Sequence, residues 1–508
     1  MTETITLTKK NEVYLRVDAD YGVLLEMAEH FSFFVPNYKY MRAYKTGQWD
    51  GKIRLLNLRT KEIYVGLYDK ILEFAQNKGR DYRVVLESND FGSPGAQQDV
   101  DTDEVMEFVE SLNIHAHGKK INAHDFQFDG LVDVLRNKRK ILISPTASGK
   151  SLMIYMIARW IQDKELERGE KILLVVPTVS LVEQLSKDFG DYSSATDWDV
   201  EENVHKIYSG KEKSLSKDII ITTWQSLIKM KKTDLCAAKC IIGDEAHTFN
   251  AKSLTTLMES MVNADWRVGT TGTLDNSLVN HLVLEGMFGK IQKLTTTAEL
   301  QKRGIVAPID IKIMSLIYPD SVKKSFAKVK YTDEIAFINS YEQRNSFIRN
   351  LALSLEGNTI IMFRMVNHGK HLHKIISEKA HKKRKVFLVY GGTDVDVREE
   401  IRAIVEKEAD AIIIASVGVF STGVNIRNVH NIILAAPTKS KIKVLQSIGR
   451  GLRLSDNGKE LALYDLIDNI SWRKRRNMTL NHGAERIKMY AEEGFKYKIY
   501  EIKFKDTQ

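Results

Sequence analysis

"KILISPTASGKSLMIYMIARW", residues 140–160, decides the fold. An apolar run, 140–144, passes directly into a Pro-Thr turn, then Gly149-Lys150-Ser151, then an amphipathic stretch of helical length. Strand, loop and helix in that order bring backbone N–H groups and a helix N-terminus onto phosphate oxygens, with a lysine for the terminal phosphates and a hydroxyl for magnesium. Lys150 and Ser151 supply the last two, and Gly149 lets the backbone approach closely. The general pattern asks for glycine where Ser144 stands, but Ser144 ends the strand, where a small side chain suffices. An isolated Gly-Lys-Ser triplet is weak evidence, so the rest of the chain has to carry the argument.

Further on, "KCIIGDEAH" (239–247) places Asp244 and Glu245 at the end of a second buried strand. One carboxylate there can hold a magnesium shell and its neighbour can polarise an attacking water. Between and around these two stretches, compact apolar runs alternate with helical segments: 140–144, 171–176, 218–222, 240–245 and 267–273. Runs without polar alternation are those of parallel strands covered on both faces. The rhythm then restarts at 359–363, 386–390, 411–416, 431–436 and 462–467, with no residue-level repeat between the two sets. The economical reading is an α/β chain of two tandem domains with parallel sheets, joined near 300–345.

At 508 residues the chain has room for about three domains. Its 43% hydrophobic and 28% charged residues exclude a fibre or a disordered chain. The net charge of +9 suits a polyanionic partner without establishing one. Cys236 and Cys240 fit neither a zinc half-site nor a disulfide framework and read as reduced core thiols. His368, His371, His373 and His381 lack the paired spacing and acids of a zinc site. No run is long enough to span a bilayer and the N-terminus has no signal-like apolar core, so the expectation is a cytoplasmic protein without a membrane partner. Turn formers and acids in 88–103 mark a linker, followed by a helix over 103–112. The expected division is a small α+β domain with linker (1–103), two α/β domains (104–303 and 304–470) and a basic tail (471–508). That tail has ten Lys/Arg against five Asp/Glu.

"SPTASGKS", "GDEAH", "GTTGT" and "QSIGRGLR", in this order and with these gaps, resemble motifs I, II, III and VI of superfamily 2 helicases and translocases over about 119–470. The resemblance implies two RecA-like domains that bind ATP with Mg2+ in the cleft between them and couple hydrolysis to movement along nucleic acid. It implies that Pro145, Thr146, Ala147, Ser148, Gly149, Lys150 and Ser151 wrap the phosphates and that Ser151 and Asp244 hold the metal. Glu245 would act as base. Gln446, Arg450 and Arg453 would complete the catalytic set, with Arg453 as the finger, since a planar guanidinium suits transition-state charge on a γ-phosphate. Gln127 in "HDFQ" matches the adenine-recognising glutamine, with Phe126 stacking nearby. Pro177 and Thr178, then Thr223, Trp224 and Gln225, Arg364, and Ser421, Thr422 and Gly423 resemble motifs Ia, Ib, IV and V, which line a path for one strand's backbone. "TTGT" is expected to relay nucleotide state.

The run 38–67, "YKYMRAYKTGQWDGKIRLLNLRTKEIYVGL", interleaves Tyr38, Tyr40, Tyr44 and Trp49 with basic residues; Lys39 to Lys61 holds seven Lys/Arg and one acid. Such a surface can track phosphates and stack on an exposed base, with Lys52 and Arg54 as expected contacts. With "GVFSTGVNIRNVHNIILA" (418–435) and "HGAERIKMYAEEGFKY" (482–497), it resembles the phage recombination and repair helicases over essentially the full chain. That resemblance implies unwinding and branch migration of branched DNA, including Holliday junctions, stalled forks and R-loops, together with strand annealing. The implied partners are branched, single- or double-stranded DNA and RNA–DNA hybrids, with a monomeric resting state and unassigned protein partners. An RNA-specific helicase of the same fold and a non-motor annealing protein are the alternatives.

Overall fold

The computed structural model describes residues 3–77, 82–208, 215–248, 251–272, 274, 278–326, 329–422, 428–437 and 461–506. The apolar runs of the first α/β domain become strands buried on both faces. Ile172, Leu174 and Val176 face one hydrophobic core while Leu173 and Val175 face another, which is why the run shows no polar alternation. Seven parallel strands lie in the order Val204–Ile207, Ile219–Thr223, Lys171–Val176, Ala238–Asp244, Trp266–Thr271, Arg139–Ile143, Ile291–Lys293. The helix after the loop, Lys150–Trp160, differs from the amphipathic expectation. Leu152 through Ala158 and Trp160 are all buried, so this helix is a core element covered nearly all round. Cys240 is buried, Cys236 half-buried, and both are free.

The second set of runs also forms a seven-stranded parallel sheet, in the order Val386–Val389, Ile412–Ser416, Thr359–Phe363, Asn431–Leu434, Leu461–Asn469, Ile309–Ile317, Tyr497–Lys503. The two parallel sheets are those of tandem RecA-like domains. The described residues of the segment 471–508, read from its charge as a tail, are built into this sheet. Helix Met478–Glu492 packs on strand Leu461–Asn469, and strand Tyr497–Lys503 pairs in register with Ile309–Ile317. Two fully buried ion pairs anchor the region, Arg344 Nε to Asp468 Oδ1 at 2.8 Å and Arg486 Nη2 to Asp465 Oδ1 at 2.7 Å. The chain divides into two compact units, residues 1–144 with 149–295 and residues 145–148 with 296–508. Among the described residues no helix is long and apolar enough to cross a membrane.

One of the histidines weighed for metal has a structural use. His368 is buried and its Nε2 lies 3.0 Å from Asn345 Oδ1. Burial, with the Arg344 and His371 charges adding to it, pushes the His368 imidazole down to about 3. The unfolded chain therefore takes up this proton near pH 6.5 while the folded one resists, so stability present above pH 6.5 is lost as pH falls toward 3. We expect about 2 kcal/mol of loss by pH 5 from this group, and His368→Gln to flatten that dependence. Melting temperature against pH for the two proteins checks it; parallel curves would refute it.

The N-terminal module is a four-stranded mixed sheet, in the order Glu62–Tyr64, Tyr14–Asp18, Thr4–Lys9, Arg83–Glu87, with helices Tyr21–His30 and Tyr68–Ala75. Its core includes Leu282 and Val283 from helix Leu278–Phe288 of the first RecA-like domain. The join is close and polar. A Cβ at Gly66 would lie 2.0 Å from Glu285 O, so only glycine admits the contact. Tyr14 and Tyr64 both donate to Glu259 Oε1 (2.8 and 2.9 Å), and Arg139 Nη2 donates to Glu12 Oε2 at 2.6 Å. Glu259 ends the helix Ala251–Glu259, which comes after the "GDEAH" strand in the chain, so the module is tied to an element close in sequence to the acidic pair.

Candidate functional site

Strands Ala238–Asp244, Trp266–Thr271 and Arg139–Ile143 end side by side, with Asp244 opposite Thr270 and Thr271 opposite Ile143. Crevices at the carboxyl ends of parallel strands are where α/β folds bind ligands. Ser144 N donates to Thr271 O at 2.9 Å, which pins the start of the loop to the middle strand. Ser148 then turns back, its N–H and Oγ donating to Pro145 O at 3.3 and 2.7 Å. Ala147 and Gly149 both adopt left-handed backbone, at φ +68° and +79°. At Gly149 it is φ that favours glycine; a Cβ there would also sit 2.3 Å from Gln127 Nε2, so that the Gln127 side chain would have to move. Ala147 has no such freedom and its conformation costs on the order of 1 kcal/mol. The loop delivers the chain into helix Lys150–Trp160, whose first N–H groups have no partners within the helix and carry its positive dipole end.

Lys150 Nζ donates to Ser144 O at 3.3 Å and lies 4.0 Å from Glu245 Oε1. Asp244 Oδ1 accepts from Thr270 Oγ1 at 2.7 Å and from Glu245 N at 2.9 Å. Burial, then the adjacent Glu245 charge, push the Asp244 carboxyl above its ordinary range, and Lys150 offsets part of this. Glu245 has φ +49°, and its buried Oε2 accepts no hydrogen bond, lying 3.4 Å from His247 Nδ1. That nitrogen is also 2.6 Å from Thr271 Oγ1, which links "GDEAH" to "TTGT" directly. A desolvated carboxylate beside an unsatisfied one, with a single lysine between them and a helix N-terminus, leaves a local charge that fits a divalent cation bridging to phosphate. Among the described residues no group of three or more His, Cys, Asp or Glu could hold a metal by itself, so such a cation would need the phosphates as further ligands.

Gln127 is buried and lies against the loop, its Nε2 donating to Gly149 O at 3.3 Å and its Oε1 accepting from His124 N at 2.8 Å. Phe126 is also buried, its ring stacked on His124 at 5.5 Å. Pro177 and Thr178 follow strand Lys171–Val176, and Thr223 to Gln225 straddle the end of Ile219–Thr223, on the same sheet edge but on the other side of Asp244. Thr178 Oγ1 is 3.2 Å from Ser180 Oγ, Thr223 Oγ1 donates to Ser226 Oγ at 3.0 Å, and Gln225 is exposed. In the second unit Arg364 is exposed at the end of Thr359–Phe363, and Ser421 and Thr422 close helix Val417–Thr422 after Ile412–Ser416. Gly423, Gln446, Arg450 and Arg453 lie outside the described residues.

In the N-terminal run the structure separates scaffold from surface, which composition could not. Tyr38 stacks on Phe34 (4.6 Å) and meets Tyr44 edge-on (4.7 Å), while Trp49 Nε1 donates to Lys52 O at 2.7 Å. Lys52 is paired with Glu29, and Arg54 with Asp50 at 2.6 Å. Tyr40, by contrast, is 79% exposed, and Arg42 and Lys45 are exposed without an ion pair among the described residues. The sequence marks Thr270 only as part of the "TTGT" relay; its hydrogen bond to Asp244 emerges once the strand register is known.

Three sequence families match the chain. "DNA helicase UvsW, N-terminal" covers residues 4–87, "Type III restriction enzyme, res subunit" residues 99–276, and "Helicase conserved C-terminal domain" residues 343–455. The chain is 32% identical to the ATP-dependent DNA helicase uvsW of Enterobacteria phage T4, over 95% of this chain and 96% of that one. It is 23% identical to the DNA 3'-5' translocase XPB2 of Sulfurisphaera tokodaii, over 71% and 84%. The crystal structure of T4 UvsW superposes with a TM-score of 0.51 at 29% identity, covering 99% of this chain and 100% of that chain. A DNA-bound type ISP restriction-modification enzyme, LlaBIII, shares the fold at 15% identity and a TM-score of 0.56, over 76% of this chain and 32% of that chain. With a strand-loop-helix edge of this geometry, two RecA-like domains and this likeness along its whole length, the chain belongs to the UvsW family of superfamily 2 ATP-dependent DNA helicases.

Proposed function

We propose that this helicase is a Mg2+-dependent motor of the cytoplasm that unwinds and branch-migrates branched DNA, including Holliday junctions, stalled forks and R-loops, in recombination, replication and repair, with strand annealing alongside. The observation that carries the reading is the meeting of Lys150, Asp244 and Glu245 at one sheet edge, in a chain with a UvsW-type N-terminal module. ATP with its magnesium ion supplies the free energy and the reacting phosphoryl group. Backbone of 145–149 wraps the phosphates, Lys150 neutralises the terminal ones, and Ser151 and Asp244 hold the metal. Thr270 keeps the Asp244 carboxylate aimed by its 2.7 Å hydrogen bond. Glu245, whose Oε2 is unsatisfied, takes the proton of the attacking water. Gln127 recognises adenine while bracing Gly149, with Phe126 behind it. Gln446, Arg450 and Arg453 keep the roles that motif order gives them. Pro177, Thr178, Thr223, Trp224 and Gln225 in one unit, and Arg364, Ser421, Thr422 and Gly423 in the other, track the strand's phosphates without reading bases.

The N-terminal module supplies junction preference. Exposed Tyr40 can stack on an unpaired base while Arg42 and Lys45 meet phosphates; Lys52 and Arg54 reach DNA only by giving up their acids. The test is ATPase stimulation and binding across forks, four-way junctions, R-loops, linear DNA and structured RNA. Arg42→Glu with Lys45→Glu should flatten the salt dependence of fork binding by about two units, and Lys52→Glu with Arg54→Glu by less. Equal stimulation by branched and linear DNA would remove the branched-substrate reading, and stimulation by RNA alone would replace it.

A further inference from the structure

The turn that follows strand Leu461–Asn469 carries four consecutive exposed cations, Arg473, Lys474, Arg475 and Arg476. Among the described residues none of the four forms an ion pair. Elsewhere in the same unit the exposed Lys385 pairs with Glu408 at 2.7 Å, and the half-buried Lys323 and Arg402 pair with Asp320 and Glu399 at 3.0 and 2.8 Å. Four like charges side by side repel one another, and an anionic occupant would relieve that repulsion.

The turn is also held in shape. Trp472 and Arg475 exchange backbone hydrogen bonds (3.2 and 3.1 Å), and Arg473 takes the left-handed backbone at φ +53°, its guanidinium 5.9 Å from the Trp472 ring centre. Asn477 Oδ1 accepts from Ile470 N and Ser471 Oγ (3.0 and 3.1 Å), while its Nδ2 donates to Glu334 Oε1 at 2.8 Å. Glu334 is the acid that lines the hollow beneath the turn. It is buried, and its carboxylate also accepts from Met478 N, Thr479 N and Thr479 Oγ1, so its hydrogen-bonding capacity is spent on the turn's base.

Topology gives the turn its place. All strands of this sheet are parallel, so the turn leaves the same carboxyl edge as Arg364 and helix Val417–Thr422. One strand, Asn431–Leu434, separates Thr359–Phe363 from Leu461–Asn469. Two strand spacings are about 10 Å, and a nucleic-acid strand carries one charge per roughly 3.4 Å of axis, so the step spans about three phosphates.

We infer that the turn 472–476 is a further nucleic-acid contact, binding the phosphate backbone beyond the Arg364 position. The inference rests on the helicase reading above. The test is binding of single-stranded and forked DNA from 50 to 200 mM salt, the range over which phosphate contacts show themselves. Arg473, Lys474, Arg475 and Arg476 are all replaced by Gln. The expected result is a salt slope shallower by about 0.7 per lost contact on single strands, restored when all four are Lys instead. Melting temperature and unstimulated ATPase should not change. The pair Arg475→Gln with Arg476→Gln leaves the left-handed position 473 untouched and should lose about half as much, so a folding failure of the fourfold variant does not decide the matter. A slope equal to wild type in both variants overturns the inference and points to an acidic protein as occupant. Wild-type protein without salt-dependent DNA binding would instead overturn the helicase reading itself.

Discussion

Lys150→Ala is expected to lower DNA-stimulated ATP hydrolysis by about 10²–10³-fold in kcat while DNA affinity stays nearly constant. The amine lies 4.0 Å from Glu245 Oε1 and 3.3 Å from Ser144 O, so its charge is already in position when phosphates arrive and needs no reorganisation. Among the described residues it is also the charge that holds Asp244 down against burial and Glu245. Removing it raises the Asp244 carboxyl further. Metal binding needs that carboxylate ionised, so Mg2+-dependent nucleotide binding in the variant should fall off at a higher pH than in the wild type as the solution is acidified. Single-turnover hydrolysis with and without forked DNA, and nucleotide affinity from pH 5 to 8, read both effects. Unchanged turnover would sink the assignment of this edge as the reaction centre. Lost turnover together with lost DNA binding would mean that the variant had damaged the fold.

Much of this edge was legible in the sequence because its chemistry is local: Gly149, Lys150 and Ser151 are adjacent, as are Asp244 and Glu245, and each follows an apolar run. Strands such as 171–176 and 359–363 stand at the residues expected, since burial on both faces leaves no polar interruption to confuse them. What escaped was long-range or edge structure. Ile309–Ile317 interleaves Asp310 and Lys312 with apolar residues, and Tyr497–Lys503 is exposed along most of its length, so neither resembles a buried run. The same exposure made 471–508 look like a tail. Thr270 against Asp244, and Thr271 against His247, depend on strand register that spacing alone does not give. In the N-terminal run the sequence supplied the right residue types, but ion pairing by Glu29 and Asp50 decides which cations are free.

The C-terminal helix gives the second large effect. Arg486→Met should destabilise the second unit by about 3–5 kcal/mol, because it strands Asp465 as an unpaired charge with no access to water. Arg486 reaches Asp465 through Nε at 2.9 Å and Nη2 at 2.7 Å, and Tyr490 OH donates to the same carboxylate at 3.0 Å. Burial opposes the Arg486 charge, yet Asp465 holds its pKa above the ordinary value, so the pair is ionised in the fold. Asp465→Asn with Arg486→Met removes both charges and keeps an acceptor for Tyr490. It should recover most of the loss, as buried ion pairs are often matched by neutral packing of the same volume. Chemical unfolding of the four proteins in a double-mutant cycle measures the coupling. A loss below about 1 kcal/mol for Arg486→Met would show that the helix is dispensable to the sheet. The same variant tests the basic turn from the other side: if helix Met478–Glu492 holds that turn in shape through Asn477 and Glu334, loosening the helix should weaken DNA binding, while Asp465→Asn with Arg486→Met should restore it.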